Sequence, residues 1–164
     1  MPSRLEKFEA IARSVAHIAG PGRAVGPATE APSLHPFDTR NIHPGLPAKV
    51  KTLFDDGHFP EATSLAFKFL DKKVNKISGI AKSGLKLMMD AFDGTPPKVK
   101  LNPLSTTSEV DEQQGYRFIF AGGMQGIRNP RAHEPNIVDD PDICLDHLSF
   151  VSMLMRRLEQ AGYK

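Results

Sequence analysis

Tryptophan is absent from the 164 residues, tyrosine occurs twice, and cysteine occurs once, as Cys144. A single cysteine excludes an intramolecular disulfide framework, so stability has to come from packing, and the composition agrees with a reducing, cytoplasmic setting. Long apolar runs are missing as well. No segment approaches the length that spans a bilayer. The first twenty residues, with Glu6 and Glu9 among their basic ones, match neither a signal peptide nor a transit peptide. Period-two alternation of apolar and polar residues is absent over any useful length, which excludes a sheet-built domain. The formal net charge is only +2, too small to announce a nucleic-acid partner by itself.

What is present is the composition of a soluble globular chain: 40% apolar and 24% charged residues, in a length that can bury one core. Charge is unevenly spread. Residues 49–100 hold ten Lys and no Arg against six acids, a net of +4, whereas residues 101–164 hold six basic and nine acidic residues, a net of −3. A local basic face is therefore expected in the first of these segments.

Leu5, Phe8, Ala12, Val15 and Ala19 recur at spacings of three and four, which predicts an amphipathic helix over 1–20, ended by Gly20 and Pro21. From Gly20 to Pro47 the chain carries six prolines and four glycines, and 21–47 reads as a linker or extended arm. Residues 48–164 read as a helical domain. Its first secure helix begins near Pro60, with Ala62, Leu65, Ala66, Phe69, Leu70, Val74 and Ile77 on one side. A shorter helix over 83–92 has Ser83 as its N-cap residue. Thr106 and Glu109 have capping-box spacing at the start of a helix running to about Ile127. Asp140 and Pro141 open a last helix whose buried stripe is Cys144, Leu148, Val151, Met155 and Leu158. The fold class is all-α, a bundle of four to five helices with an extra helix at the N-terminus.

The segment "GGMQGIRNPRAHEP", residues 122–135, is chemically the densest. An arginine and a histidine close in space can bind a phosphate and move a proton beside it. On a continuous helix Arg128 and His133 would lie about 140° apart, but Pro130 disfavours the helical conformation at Asn129. A break there is expected, and it would let both side chains face one cleft. A purely structural role is the competing reading, with Arg128 neutralising the carbonyls at a helix end and His133 packing in a loop.

The octapeptide "IRNPRAHE" resembles the signature of the HEPN superfamily (higher eukaryotes and prokaryotes nucleotide-binding), in which Arg, often followed by Asn, precedes His by a short spacer. "LFDDGHFPEATSLAFKFLDKKVNKISG", "EQQGYRFIFAGGMQGIRNPRAHE" and "LSFVSMLMRRL" resemble, in the same order, the Ymh-like group of bacterial HEPN proteins found among phage-defence and mobile-element genes. The likeness covers about residues 42–160. It implies a helical bundle and a metal-independent endoribonuclease acting on single-stranded or loop RNA, with Arg128, Asn129 and His133 at the active site and no cofactor. Such chemistry needs a base near the 2′-hydroxyl, an acid near the 5′-oxygen and positive charge on the phosphate. An unperturbed histidine titrates near 6.5 and serves either proton role, and Arg128 grips phosphate through paired donors. Asn129 could fix the phosphate or orient the imidazole. Arg131 and Glu134 receive no role. The rival readings are a non-catalytic HEPN module that binds nucleotide, RNA or protein, and a structural all-α interaction domain.

Other groups read less sharply. Lys68, Lys72 and Lys76, with Lys73 alongside, form a cationic stripe that either tracks an RNA backbone or is a solvated face. Cys144 and His147 stand one helical turn apart, as in a thiol dyad, but Cys144 falls on the apolar stripe. Asp139, Asp140, Asp142 and His147 could ligate a metal, yet two of these acids suit a helix start, and no metal site is expected. "AGGMQG" lacks the strand and the lysine that nucleotide-binding loops require; its Gly122 and Gly126 suit close helix packing. The expected partners are RNA, an antitoxin or other defence-system protein, no membrane, and a second copy of the chain. One histidine per chain supplies only one of the two proton-transfer groups, so a two-fold homodimer with facing "RNPRAH" segments would complete the site.

Overall fold

The computed structural model describes residues 34–134 and 136–164; the helix expected over 1–20 and the arm as far as residue 33 lie outside the described residues. Among the described residues the architecture is helical with no strand, as the all-α reading requires. In chain order the elements are α1 (Pro36–Thr39), α2 (Ala48–Asp55), α3 (Phe59–Ser78), α4 (Gly84–Ala91), α5 (Thr107–Gly122), a π-helical turn (Gly123–Arg128), α6 (Asn129–His133) and α7 (Pro141–Gln160). None of these helices is long and apolar enough to cross a membrane.

Helix α3 is the axis of the bundle: α2, α4, α6, α7 and the π turn all pack against it. Its buried residues are Ala62, Thr63, Ala66, Phe67, Leu70, Asp71 and Val74. Leu65, Phe69 and Ile77, expected inside, are only partly buried. The buried arc has turned toward Thr63, Phe67 and Asp71 because each finds a partner there. The Thr63 hydroxyl lies 3.6 Å from the Cys144 sulfur, the Phe67 ring stacks on Phe150, and the Asp71 carboxylate accepts the Gly84 N–H at 2.6 Å. That last bond also caps α4. Ser83 occupies the N-cap position as expected, but its side chain makes no capping bond. Each fully buried large apolar side chain contributes roughly 1.5–3 kcal/mol, and the Gly84 N–H offsets part of the cost of burying the Asp71 carboxylate.

The arm expected to run to Pro47 gives way to packed structure at Leu34, where a compact unit begins that extends to Lys164. Ile42 and His43 are buried. His43 donates its backbone N–H to Ser152 Oγ at 2.9 Å, and its Nε2 pairs with Glu159 at 3.0 Å. Proline richness in this stretch marks irregular backbone, and polar bonds to α7 hold that backbone in place. Farther on, the irregular segment between α4 and α5 is fastened by buried Gln113. Its amide donates to Phe92 O and Val99 O and accepts the Leu101 N–H, satisfying three backbone groups that would otherwise be buried unpaired.

Helix α5 starts on the expected capping box, with Thr106 and Glu109 bonded reciprocally. Helix α7 starts on Asp140, whose carboxylate accepts the Ile143 N–H at 2.8 Å, and buries all five residues of the expected stripe. Close packing between helices falls to a different glycine from the two expected. A Cβ on Gly122 or Gly126 would meet nothing within 4 Å, whereas one on Gly123 would lie 2.8 Å from the Phe150 ring and 3.0 Å from the Phe67 ring. Gly123→Ala is therefore expected to force these rings apart and cost about 1–3 kcal/mol, read as a lowered melting temperature with helical content retained. Gly126→Ala, with open space around it, is the control that should not show the loss.

Candidate active site

The backbone does not break at Pro130. Arg128 (φ −69°, ψ −46°) and Asn129 (φ −62°, ψ −46°) are both helical, which corrects the expectation drawn from the pre-proline rule. The π turn explains it. In an ordinary α-turn the proline ring collides with the carbonyl four residues back and leaves it without a donor. Here the Asn129 N–H reaches five residues back, to Met124 O, and the widened turn makes room for the ring. Pro130 then sits in the first turn of α6, where no N–H is needed. The pre-proline restriction acts instead at Glu134, extended at φ −97° and ψ 111° and followed in the sequence by Pro135. The Glu134 N–H closes the last turn on Pro130 O at 2.8 Å.

A helical path from Arg128 to His133 keeps the two side chains about 140° apart. Contrary to the expectation of one shared cleft, they line two adjacent ones between α3 and α6. Arg128 faces a cleft of about 350 Å³ with Ser64, Leu65 and Lys68. His133, exposed, faces one of about 240 Å³ with Pro60, Glu134 and Ile137. Glu61, Arg131 and Ala132 line both. Asn129 serves the guanidinium and not the imidazole: its Oδ1 accepts from Arg128 Nη1 at 3.0 Å, and its Nδ2 donates to Gln125 Oε1 at 3.3 Å. This chain aims Arg128 and leaves its remaining donors for another acceptor.

Arg131, to which no role fell from sequence, is the anchor of the segment. Its Nε and Nη2 donate to the two oxygens of Asp139, both at 2.6 Å, and its Nη1 donates to Ile127 O at 3.0 Å. The side chains are 11% and 4% exposed. The fork geometry of guanidinium and carboxylate makes this a strong, directional contact, and it ties α6 to the segment leading into α7. Asp139 is thereby committed, Asp140 caps α7, and Asp142 lies 3.5 Å from Arg40; among the described residues no group of three or more His, Cys, Asp or Glu could hold a metal ion. Nothing in the sequence pairs residues 131 and 139, since neither lies on a shared helix.

Cys144 is core, bonded to Phe59 O and Thr63, and burial pushes its thiol up to about 11. Burial, with Arg131 nearby, holds His147 below the usual imidazole range, and its Nδ1 is buried without a partner among the described residues. Among the described residues no hydrogen bond joins the Cys144 thiol to His147, so the imidazole is not placed to activate it as a nucleophile. Lys68, Lys72 and Lys76 are exposed on α3, and Lys68 joins Arg128 in its cleft, together with Glu61 and Ser64, which the sequence reading had passed over.

Residues 40–158 match the family described as "Protein of unknown function (Hypoth_ymh)", and the chain belongs to it. No curated protein and no solved structure matches the chain.

Removing one member of the buried pair strands the other. Asp139→Ala is expected to cost about 3–5 kcal/mol of unfolding free energy, and the double variant Arg131→Met/Asp139→Leu to recover most of it. Urea denaturation of the three proteins checks the ordering.

Proposed function

We propose that this member of the Hypoth_ymh family is a metal-independent endoribonuclease of the HEPN type. The observation that carries the reading is the guanidinium of Arg128, held by Asn129 and facing a cleft with Lys68, with the exposed imidazole of His133 five residues on in the adjacent cleft. Two cations beside a histidine suit a phosphodiester. A base removes the proton of the 2′-hydroxyl, O2′ bonds to phosphorus, and the bond from phosphorus to O5′ breaks. An acid gives O5′ a proton, leaving a 2′,3′-cyclic phosphate and a 5′-hydroxyl. Arg128 stabilises the charge that grows on the phosphoryl oxygens.

The working unit in this reading is a two-fold homodimer. Arg128 and His133 diverge within one chain, and a single chain offers one histidine there, so a second copy brings both the missing proton-transfer group and a second guanidinium. The surface supports such a pairing. Helix α5 presents Gly115, Phe118, Ile119 and Gly122 on one outward strip, with Phe118 60% exposed and open space above both glycines. A large apolar side chain between small residues suits the close approach of another helix, and the same helical path runs on into the "RNPRAH" segment. The divergence of Arg128 and His133 also favours a second reading, a HEPN module that recognises RNA or nucleotide without cutting.

Labelled single-stranded RNA incubated with pure protein, with and without a chelator, separates these readings. His133→Ala is expected to lose about 100- to 10,000-fold in cleavage and Arg128→Lys roughly 100-fold, with circular dichroism and melting temperature unchanged. Cleavage by His133→Ala at the wild-type rate would refute the catalytic assignment. Specific activity is expected to fall on dilution as light scattering reports dissociation, and Phe118→Asp to shift both curves to higher protein concentration. A monomer with constant specific activity would refute the composite site.

A further inference from the structure

We infer that the exposed strip of α3 is a one-sided track for single-stranded RNA, leading away from the two clefts toward the C-terminus of that helix. The inference rests on the ribonuclease reading for its substrate and on separate residues for its path. Glu61, Leu65, Lys68, Lys72 and Lys76 recur at spacings of four, three, four and four, so they share one face of α3. The clefts follow that face in order: Pro60 lines the one with His133, Glu61 lines both, Ser64 and Lys68 line the one with Arg128, and Lys72 and Lys76 continue beyond both, exposed. From Glu61 to Lys76 the strip is about 22 Å long.

The charges along it are uncompensated on one side of the site only. Lys51 and Lys82 are paired with Asp55 and Asp90, and the hydrogen bond from His43, helped by the charge of Lys73, holds the Glu159 carboxyl below the usual carboxylate range. Lys68, Lys72 and Lys76 enter no ion pair among the described residues. Asp71, the acid in their midst, is buried and bonded inward to Gly84 N–H. Toward the other end the acids gather: Glu61 lines both clefts and Glu134 the cleft of His133, so a further phosphate on that side meets repulsion. A polyanionic strand seated at Arg128 therefore gains by extending along the lysines and loses by extending the other way. Lys76 lies in the last turn of α3, where a cation also complements the helix dipole, but that role does not require Lys72 or Lys68. A single line of cations on one helix fits one strand, whose flexible backbone can follow it.

The test uses full-length His133→Ala, so that binding is read without cleavage, and fluorescein-labelled single-stranded RNA of about 4, 8 and 12 nucleotides. Anisotropy is expected to show affinity rising with length and falling about tenfold for 12-mers in the added double variant Lys72→Gln/Lys76→Gln. That variant should also flatten the slope of log affinity against log salt by about 1.4, two contacts at roughly 0.7 each. In wild-type protein, chimeric DNA oligonucleotides with one ribonucleotide at a fixed position should show a lower KM on extension on one side only. Length-independent binding, an unchanged salt slope in the double variant, or equal binding of a poly-aspartate peptide would each overturn the track. If the double variant flattens the slope as expected but wild-type protein cuts no RNA, the cleavage reading fails and the track stands.

Discussion

Helix α3 buries a broad arc of its surface, from Ala62 round to Asp71 and Val74, and that constraint organises the rest of the protein. Five other segments pack against it, and its exposed residues, Glu61, Lys68, Lys72 and Lys76, fall on one strip. Every residue on that strip is consequently either polar or at the margin of a cleft, and the elements that cover the flanks decide where the strip becomes a site. The π turn and α6 lie along its first half, creating the clefts. Its second half is left as a line of lysines. Core and candidate site are in this sense two sides of the same helix: Phe67 faces Phe150 and Gly123, while Lys68, one residue on, faces Arg128.

A second constraint sits at Pro130. The chain keeps its helical course through a proline by widening the preceding turn, and α6 survives as a short helix because Arg131 anchors it to Asp139 and to the Ile127 carbonyl. A buried ion pair contributes little net stability compared with well-packed apolar residues, but it is directional, and breaking it is costly. Its effect here is on geometry. It holds the rotation of α6, and that rotation determines which cleft receives Arg128 and which receives His133. The polar chain from Gln125 through Asn129 then orients the guanidinium, so the cation is preorganised before any ligand arrives. Preorganised charge is the kind that acts on a developing anion without further rearrangement.

The division of Arg128 and His133 between two clefts links the fold to the oligomeric reading. A single chain presents the Arg128 guanidinium on one side of Ala132 and the His133 imidazole on the other. In the proposed homodimer a two-fold partner would add a second copy of each without changing the fold, and α5 leaves Phe118 and Ile119 exposed for such a contact. The same separation is compatible with recognition alone, which is why cleavage and dilution are informative together.

What the amino-acid sequence determined by itself was whatever lies within one or two helical turns. The all-α class, the Thr106 and Glu109 capping box, the Asp140 cap and the buried stripe of α7 were all legible, because periodicity and caps are interactions between residues three or four apart. So were Arg128, Asn129 and His133 as the residues to examine, through composition and resemblance. The tertiary structure alone decided the rest. It turned the buried arc of α3 toward Thr63, Phe67 and Asp71, gave the cap of α4 to a carboxylate thirteen residues away, packed the chain from Leu34 onward, and placed Cys144 beyond reach as a nucleophile. It also brought Glu61 and Lys68 to Arg128, and joined Arg131 to Asp139. Each of these depends on which surfaces meet when apolar area is removed from water. That is a property of the whole assembly of helices, and a local pattern of residues does not contain it.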